Sequence, residues 1–321
     1  MQTKKLLPLT ALLLAAVTAV AQAAPPAAPA APGTRVAAPG RGGRGFGIAV
    51  MGPAAPVPPE VAIPRPTAEE VQQINNEVKR LIASDSSPAK ALLEKYQSLL
   101  AVTPPRANIT ATYTQTPQRQ GPRHEQFVER AKKGDIDLLL EGDSITDWWT
   151  QNPEKKAVFE KYFGQYGDKV ANFAIAGDTT QGNLWGLKNG EGQGFSPKAI
   201  MLMIGTNSMG GSSPQEIAEG IGAEVLELRK DFPNAKILLL AIFPRGTPND
   251  PNRAKIAECN QIISKLNDNQ HVFYMDIGKV FLQPNGAFID GAFQGDNLHP
   301  TAKGYELWGE AVKDKIAELM K

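Results

Sequence analysis

From Ile136 onward the chain carries five short, continuous apolar runs: IDLLLEG (136–142), VANFAIAG (170–177), AIMLMIG (199–205), KILLLAI (236–242) and VFYMDI (272–277). Continuous rather than alternating apolar character predicts strands buried on both faces, as in a parallel sheet. Between the runs the period changes. Segment 214–232 sets Ile217, Ile221, Val225 and Leu228 on one side of a helix, and the C-terminal segment repeats the pattern with Tyr305, Trp308, Val312, Ile316 and Leu319. Strand and helix in alternation over residues 124–321 predict a three-layer α/β domain. In such a domain ligands bind at the loops that follow the carboxyl ends of the strands.

Upstream the pattern differs. Residues 67–100 read as two short amphipathic helices, with Val71, Ile74, Val78 and Leu81 on one face and Leu92, Leu93, Tyr96 and Leu99 or Leu100 on another, broken at SDSSP. With the polar loop that follows, this predicts a small helical hairpin and loop over 67–123; the pattern does not choose between packing on the main domain and covering its cleft. Residues 24–66, rich in Ala, Pro and Gly, have no hydrophobic period and predict a flexible, disordered linker. Residues 1–23 carry Lys4 and Lys5, an apolar run from Leu6 to Val20, and small residues Ala21 and Ala23. That layout predicts a signal peptide cleaved after Ala23. The run falls short of the ~20 residues a membrane span needs, so the expectation is a secreted or periplasmic protein without stable membrane insertion.

The charge balance is 34 Lys and Arg against 33 Asp and Glu, a formal net charge of +1, with no basic block. Nucleic acid is therefore not expected as a partner. One cysteine allows no intrachain disulfide. Cys259 recurs with Ile256, Ile263 and Leu266 at helical spacing, which predicts a buried helix face rather than a nucleophile.

The strand ends carry the chemistry. The first run closes in Gly142-Asp143-Ser144, where a serine directly after a buried strand can present its hydroxyl at a helix start, with its own N–H free. The second closes in Ala176-Gly177-Asp178 and the third in Gly205-Thr206-Asn207. A glycine exposes its backbone N–H and an asparagine offers a side-chain amide. Ser144, Gly177 and Asn207 together therefore form a candidate oxyanion hole. Near the last helix, Asp296 and His299 lie two residues apart, so the carboxylate can bond one imidazole nitrogen while the other reaches a serine hydroxyl. Asp143 is expected to cap the helix start rather than serve the histidine. His124 and His271 read as structural.

GDSIT, the Gly177 of IAGDTT, IGTN and DNLHP stand in the order of the four sequence blocks of the SGNH, or GDSL-like, hydrolases, and the chain resembles that family from about residue 124 to 321. Within it the segments KKGDIDLLLEGDSITDWW, NFAIAGDTTQGNLWGLKNG, LMIGTNSMG, AIFPRG and GDNLHPTAKGYELW look most like the platelet-activating-factor acetylhydrolase-like branch. The resemblance implies a three-layer, flavodoxin-like α/β/α fold with a five-stranded parallel sheet in order 2-1-3-4-5. It also implies a Ser144–Asp296–His299 catalytic triad, and ester hydrolysis with no metal or cofactor. Glu141 departs from it: the family has an uncharged residue before Gly-Asp-Ser, and a buried carboxylate needs a partner that the sequence does not name.

Export combined with a resemblance to acetylhydrolases predicts a small-acyl esterase acting on acetylated carbohydrate, a polysaccharide or small-molecule ester. Trp148, Trp149 and Trp185 are candidates to stack on sugar rings or to pack against the sheet. Three other readings stay open: a lipase or broad carboxylesterase, a thioesterase or lysophospholipase, and a non-catalytic binding protein. The alcohol portion and the oligomeric state are not written in the pattern.

Overall fold

A computed structural model describes residues 51–103 and 107–321. The signal-peptide reading and residues 24–50 of the expected linker lie outside these residues. No helix among the described residues is long and apolar enough to cross a membrane.

In chain order the main elements are α1 (Ala68–Ser84), α2 (Lys90–Lys95), α3 (Pro122–Lys132), β1 (Leu138–Gly142), α4 (Ser144–Gln151), α5 (Pro153–Phe163), β2 (Val170–Asn172), α6 (Thr180–Gly186), β3 (Ala199–Met203), α7 (Pro214–Asp231), β4 (Lys236–Leu240), α8 (Pro251–Ile263), β5 (Val272–Met275) and α9 (Ala302–Leu319). The five strands form one parallel sheet in the order β2-β1-β3-β4-β5, with Leu138 in register with both Val170 and Ala199. Each strand falls inside one of the five apolar runs.

Alternation within the runs divides the core. Leu139, Ile200, Leu202, Ile237 and Leu239 face a layer holding Phe127 of α3, Ile217, Ile221 and Leu228 of α7, and Ile256, Cys259 and Ile263 of α8. Leu138, Leu140, Met201, Met203, Leu238 and Leu240 face Trp149 of α4, Phe163 of α5, and Trp308, Val312 and Ile316 of α9. Each such Leu or Ile taken out of water contributes about 1.5–3 kcal/mol, which is why both faces are covered. Cys259 is fully buried, and burial pushes its thiol up to about 12.

The N-terminal region requires corrections. All described residues fall within one compact unit. The end of the expected linker is not free. Ala54 forms an antiparallel bridge with Thr112, and Val61 belongs to the main core. The Ile63 N–H donates to Glu219 at 2.7 Å. Proline and alanine make this stretch look unstructured, but extended chain of that composition can lie on a helix face. The face is that of α7, where Gly222 leaves the room: a Cβ there would lie 2.5 Å from a Val61 methyl. The hairpin exists, with a capping box from Thr67 and Glu70 at the start of α1. Its apolar stripe is only partly used. Val71 and Ile82 are buried, whereas Ile74, Leu92, Tyr96 and Leu99 stay exposed.

Candidate active site

Gly142 ends β1 where a side chain has no room: a Cβ would lie 2.5 Å from both the Met203 carbonyl oxygen and Thr146 Oγ1. The chain turns there into α4. Asp143 is the N-cap, its Oδ1 accepting the Ile145 N–H at 3.0 Å, which is the capping role expected from the sequence. Ser144 is the first helical residue, so its N–H has no acceptor inside the helix. The start of α4 is fastened to the C-terminal layer by the Tyr305 hydroxyl, which donates to the Ile145 carbonyl at 2.7 Å.

Asp296 and His299 stand on the loop before α9, and the loop reaches Ser144 from the far end of the chain. Ser144 Oγ lies 2.8 Å from His299 Nε2, and His299 Nδ1 lies 2.6 Å from Asp296 Oδ2. Asp296 Oδ1 accepts the N–H groups of Leu298 and His299 at 2.9 and 3.0 Å. Partial burial acts to raise the Asp296 pKa. The His299 ring and the two backbone donors outweigh it and hold the carboxyl below its ordinary value. A carboxylate so held keeps the imidazole tautomer with its proton on Nδ1 and the lone pair on Nε2, facing the serine. The Trp148 indole stacks on this imidazole, ring centroids 4.0 Å apart and planes at 28°.

Gly177 adopts φ +82°, a left-handed conformation open to glycine at little cost. The loop that carries it is tied to α4, since the Ala176 N–H donates to Asp147 Oδ2 at 3.0 Å. Asn207 donates one amide N–H to the Asp178 carbonyl at 2.8 Å, which leaves its second N–H for another acceptor. Asp178 thus joins the Gly177 loop to Asn207.

Beneath this loop lies a buried polar network that sequence reasoning missed. Arg119 is fully buried; its Nε donates to Asp178 Oδ2 at 2.6 Å, its Nη2 to Asn183 Oδ1 at 2.6 Å, and its Nη1 pairs with Glu191. Thr116 Oγ1 donates to the other Asp178 oxygen at 2.8 Å. Asn183 passes a hydrogen bond to Glu224 of α7 at 2.9 Å, and His124 Nδ1 lies 2.7 Å from Glu191 Oε1. Glu141 points into this network from β1. Its nearest cation is Arg119 at 4.0 Å, and neither carboxyl oxygen has a hydrogen-bond partner. Burial raises its pKa well above the usual carboxyl range, and the neighbouring Arg119 offsets that only in part. Burial likewise raises Asp143 to about 7 and Glu224 to about 8.

The three tryptophans separate. Trp149 is core, beside Phe163, Tyr305 and Trp308; Trp148 meets the His299 imidazole; Trp185 lies against His124 with centroids 4.8 Å apart. His271 is near Asp268, Nδ1 to Oδ2 3.8 Å. Among the described residues, no group of three or more His, Cys, Asp or Glu is arranged to hold a metal ion.

The GDSL-like Lipase/Acylhydrolase family model matches residues 141–307, just over half of the chain. The chain is 34% identical over 199 residues to platelet-activating factor acetylhydrolase IB subunit alpha2 of Rattus norvegicus, covering 62% of this chain and 83% of that one. It is 33% identical over 199 residues to the Homo sapiens protein of the same name, with the same coverage. Similar solved structures include a GDSL-like lipase from Bacteroides thetaiotaomicron, at 16% identity and TM-score 0.46 over 61% of this chain and 97% of that one. Another is a catalytic mutant of an acetylxylan esterase from Geobacillus stearothermophilus, at 18% identity and TM-score 0.45 over 58% of this chain and 94% of that one.

Proposed function

Because the chain belongs to the GDSL-like lipase/acylhydrolase family and hydrolyses carboxylic esters as a serine hydrolase, we propose that it is an exported enzyme that removes small acyl groups, chiefly acetyl, from acylated carbohydrate. The observation that carries the reading is the continuous hydrogen-bond chain from Ser144 Oγ through His299 to Asp296, at 2.8 and 2.6 Å.

In this mechanism His299 Nε2 removes the Ser144 proton as Oγ attacks the ester carbonyl, and Asp296 stabilises the imidazolium that forms. The oxyanion accepts hydrogen bonds from the Ser144 and Gly177 N–H groups and the second Asn207 amide hydrogen. Loss of one such donor typically costs about 3–4 kcal/mol of transition-state stabilisation. The imidazolium then returns its proton to the departing alcohol. Water, deprotonated by His299, attacks the acyl-serine; the acyl–Oγ bond breaks, the carboxylic acid leaves, and His299 returns the proton to Ser144 Oγ.

The names of the curated relatives favour a second substrate, an acetylated phospholipid. The separating experiment follows acetate release from acetylated xylan, a 2-acetyl phospholipid, and the p-nitrophenyl esters of acetate and octanoate, by the mature protein and its Ser144→Ala variant. The expected result is acetate from xylan and from p-nitrophenyl acetate, with rates at least 10³-fold lower in the variant. Phospholipid or octanoate turnover with xylan untouched would move the enzyme to the lipid side, and an active Ser144→Ala variant would remove the serine mechanism.

A further inference from the structure

Gln118 sits in a short turn, Pro117–Arg119, upstream of the residues that match the family model. Both sides of the turn are pinned to one residue: Thr116 Oγ1 and Arg119 Nε each donate to the Asp178 carboxylate, at 2.8 and 2.6 Å. A residue held between two such anchors has its backbone fixed. Its side chain is not consumed by the fold. The Gln118 carboxamide makes no hydrogen bond to any other described residue, although it is partly buried.

The carboxamide lies against Gly177. A Cβ built on that glycine would be 3.3 Å from Gln118 Nε2 and 3.9 Å from its Cδ. Covalent geometry sets a backbone nitrogen about 2.5 Å from the Cβ position of its own residue, so Nε2 is at most about 6 Å from the Gly177 nitrogen. An ester whose oxygen accepts the Gly177 N–H is thus seated on the glycine that Gln118 borders, and those of its atoms that extend toward the Cβ side of that glycine come within reach of the carboxamide. An acetyl group offers no polar atom beyond the carbonyl oxygen already engaged. The atom that a free carboxamide recognises must then belong to the alcohol.

Resting on the carbohydrate reading above, we infer that Gln118 is a specificity-determining residue whose carboxamide takes a hydroxyl of the sugar beside the scissile ester. An N-terminal segment outside the family match thus supplies the alcohol subsite, and Thr116, Arg119 and Asp178 aim it.

The test compares wild type, Gln118→Ala and Gln118→Leu on acetylated xylooligosaccharides and on p-nitrophenyl acetate, whose alcohol carries no hydroxyl to recognise. Losing one neutral hydrogen bond predicts a rise in KM and a fall of roughly 3- to 10-fold in kcat/KM on the sugar ester, with p-nitrophenyl acetate changed less than about twofold. Unchanged melting of the variants, together with that split, supports the subsite. Equal losses in kcat on both substrates would make Gln118 part of the oxyanion machinery and overturn the inference, as would no change on either. Wild type that hydrolyses p-nitrophenyl acetate but spares the sugar ester defeats the carbohydrate reading itself, a result visible before any variant is assayed.

Discussion

Asp143 and Ser144 are neighbours with opposite duties. Asp143 Oδ1 takes the Ile145 N–H, while its Oδ2 is buried without a partner, and burial lifts the carboxyl to about 7. An amide at that position keeps the acceptor and removes a proton that the folded protein otherwise has to manage. Asp143→Asn is therefore expected to keep kcat within about threefold and to change chiefly thermal stability, by about 1 kcal/mol. Loss of turnover in a variant of unchanged melting temperature would give Asp143 a part in the chemistry. The candidate site is legible at this scale as residues brought together. GDSIT and DNLHP are local signals, and Gly177 and Asn207 follow from looking at strand ends. The cation nearest Glu141 was not legible, because Arg119 lies in a polar loop with no periodicity and nothing in its neighbourhood marks it as buried.

At the scale of elements, α7 explains the N-terminal segment. One side of α7 carries the predicted apolar stripe of Ile217, Ile221 and Leu228 against the sheet. Glu219, Glu224 and Glu227 on the remaining surface look like solvated charge in sequence, yet they are buried. Glu219 accepts from Ile63 and Asn108 and pairs with Arg65; Glu227 accepts from the Tyr113 hydroxyl at 2.6 Å. Burial opposes the charge on Glu219, and those donors outweigh it, holding its pKa below the usual value. Sequence periodicity finds the face that meets apolar neighbours; it has no signal for a face covered by an extended strap, so the strap was read as linker. The polar loop that follows the hairpin is anchored instead by Arg119. Arg119→Met leaves Asp178 and Glu191 buried without their cation, a loss of about 3–5 kcal/mol in stability. With Asp178 released, the Gly177 loop loosens, and kcat should fall with it. Urea unfolding and kcat on p-nitrophenyl acetate measure the two effects, and a variant of wild-type stability would deny Arg119 its structural role.

For the whole molecule the buried carboxyls set the response to pH. Glu224 titrates near 8 and Glu141 still higher than its ordinary range, both raised first by burial. In an unfolded chain a glutamate ionises near pH 4.3. Above that pH the folded protein holds protons that the unfolded chain has released, so both groups make stability fall as pH rises, Glu224 over the range from about 5 to about 8. Glu224→Gln, which retains an acceptor for Asn183, is expected to flatten that decline. Unfolding free energies at pH 5, 6.5 and 8 check it, and a slope equal to wild type would mean that Glu224 is ionised in the folded state. The sheet order and the two-faced core were legible across the molecule because continuous apolar runs leave few alternatives. What the chain upstream of 124 rests on was not, since the family motifs begin after it and say nothing about its contacts.

The strap has a further consequence for how the chain acquires its shape. Ile63 and Glu219 are 156 positions apart, and Ser144 and His299 are 155 apart. Contacts of such separation close last, because the loop entropy must be overcome before they return any energy. A chain caught midway, with its sheet formed, would still present the bare glutamates of α7 and an unpartnered serine. Activity and protection of the strap from a protease should therefore appear together in refolding, after the sheet itself.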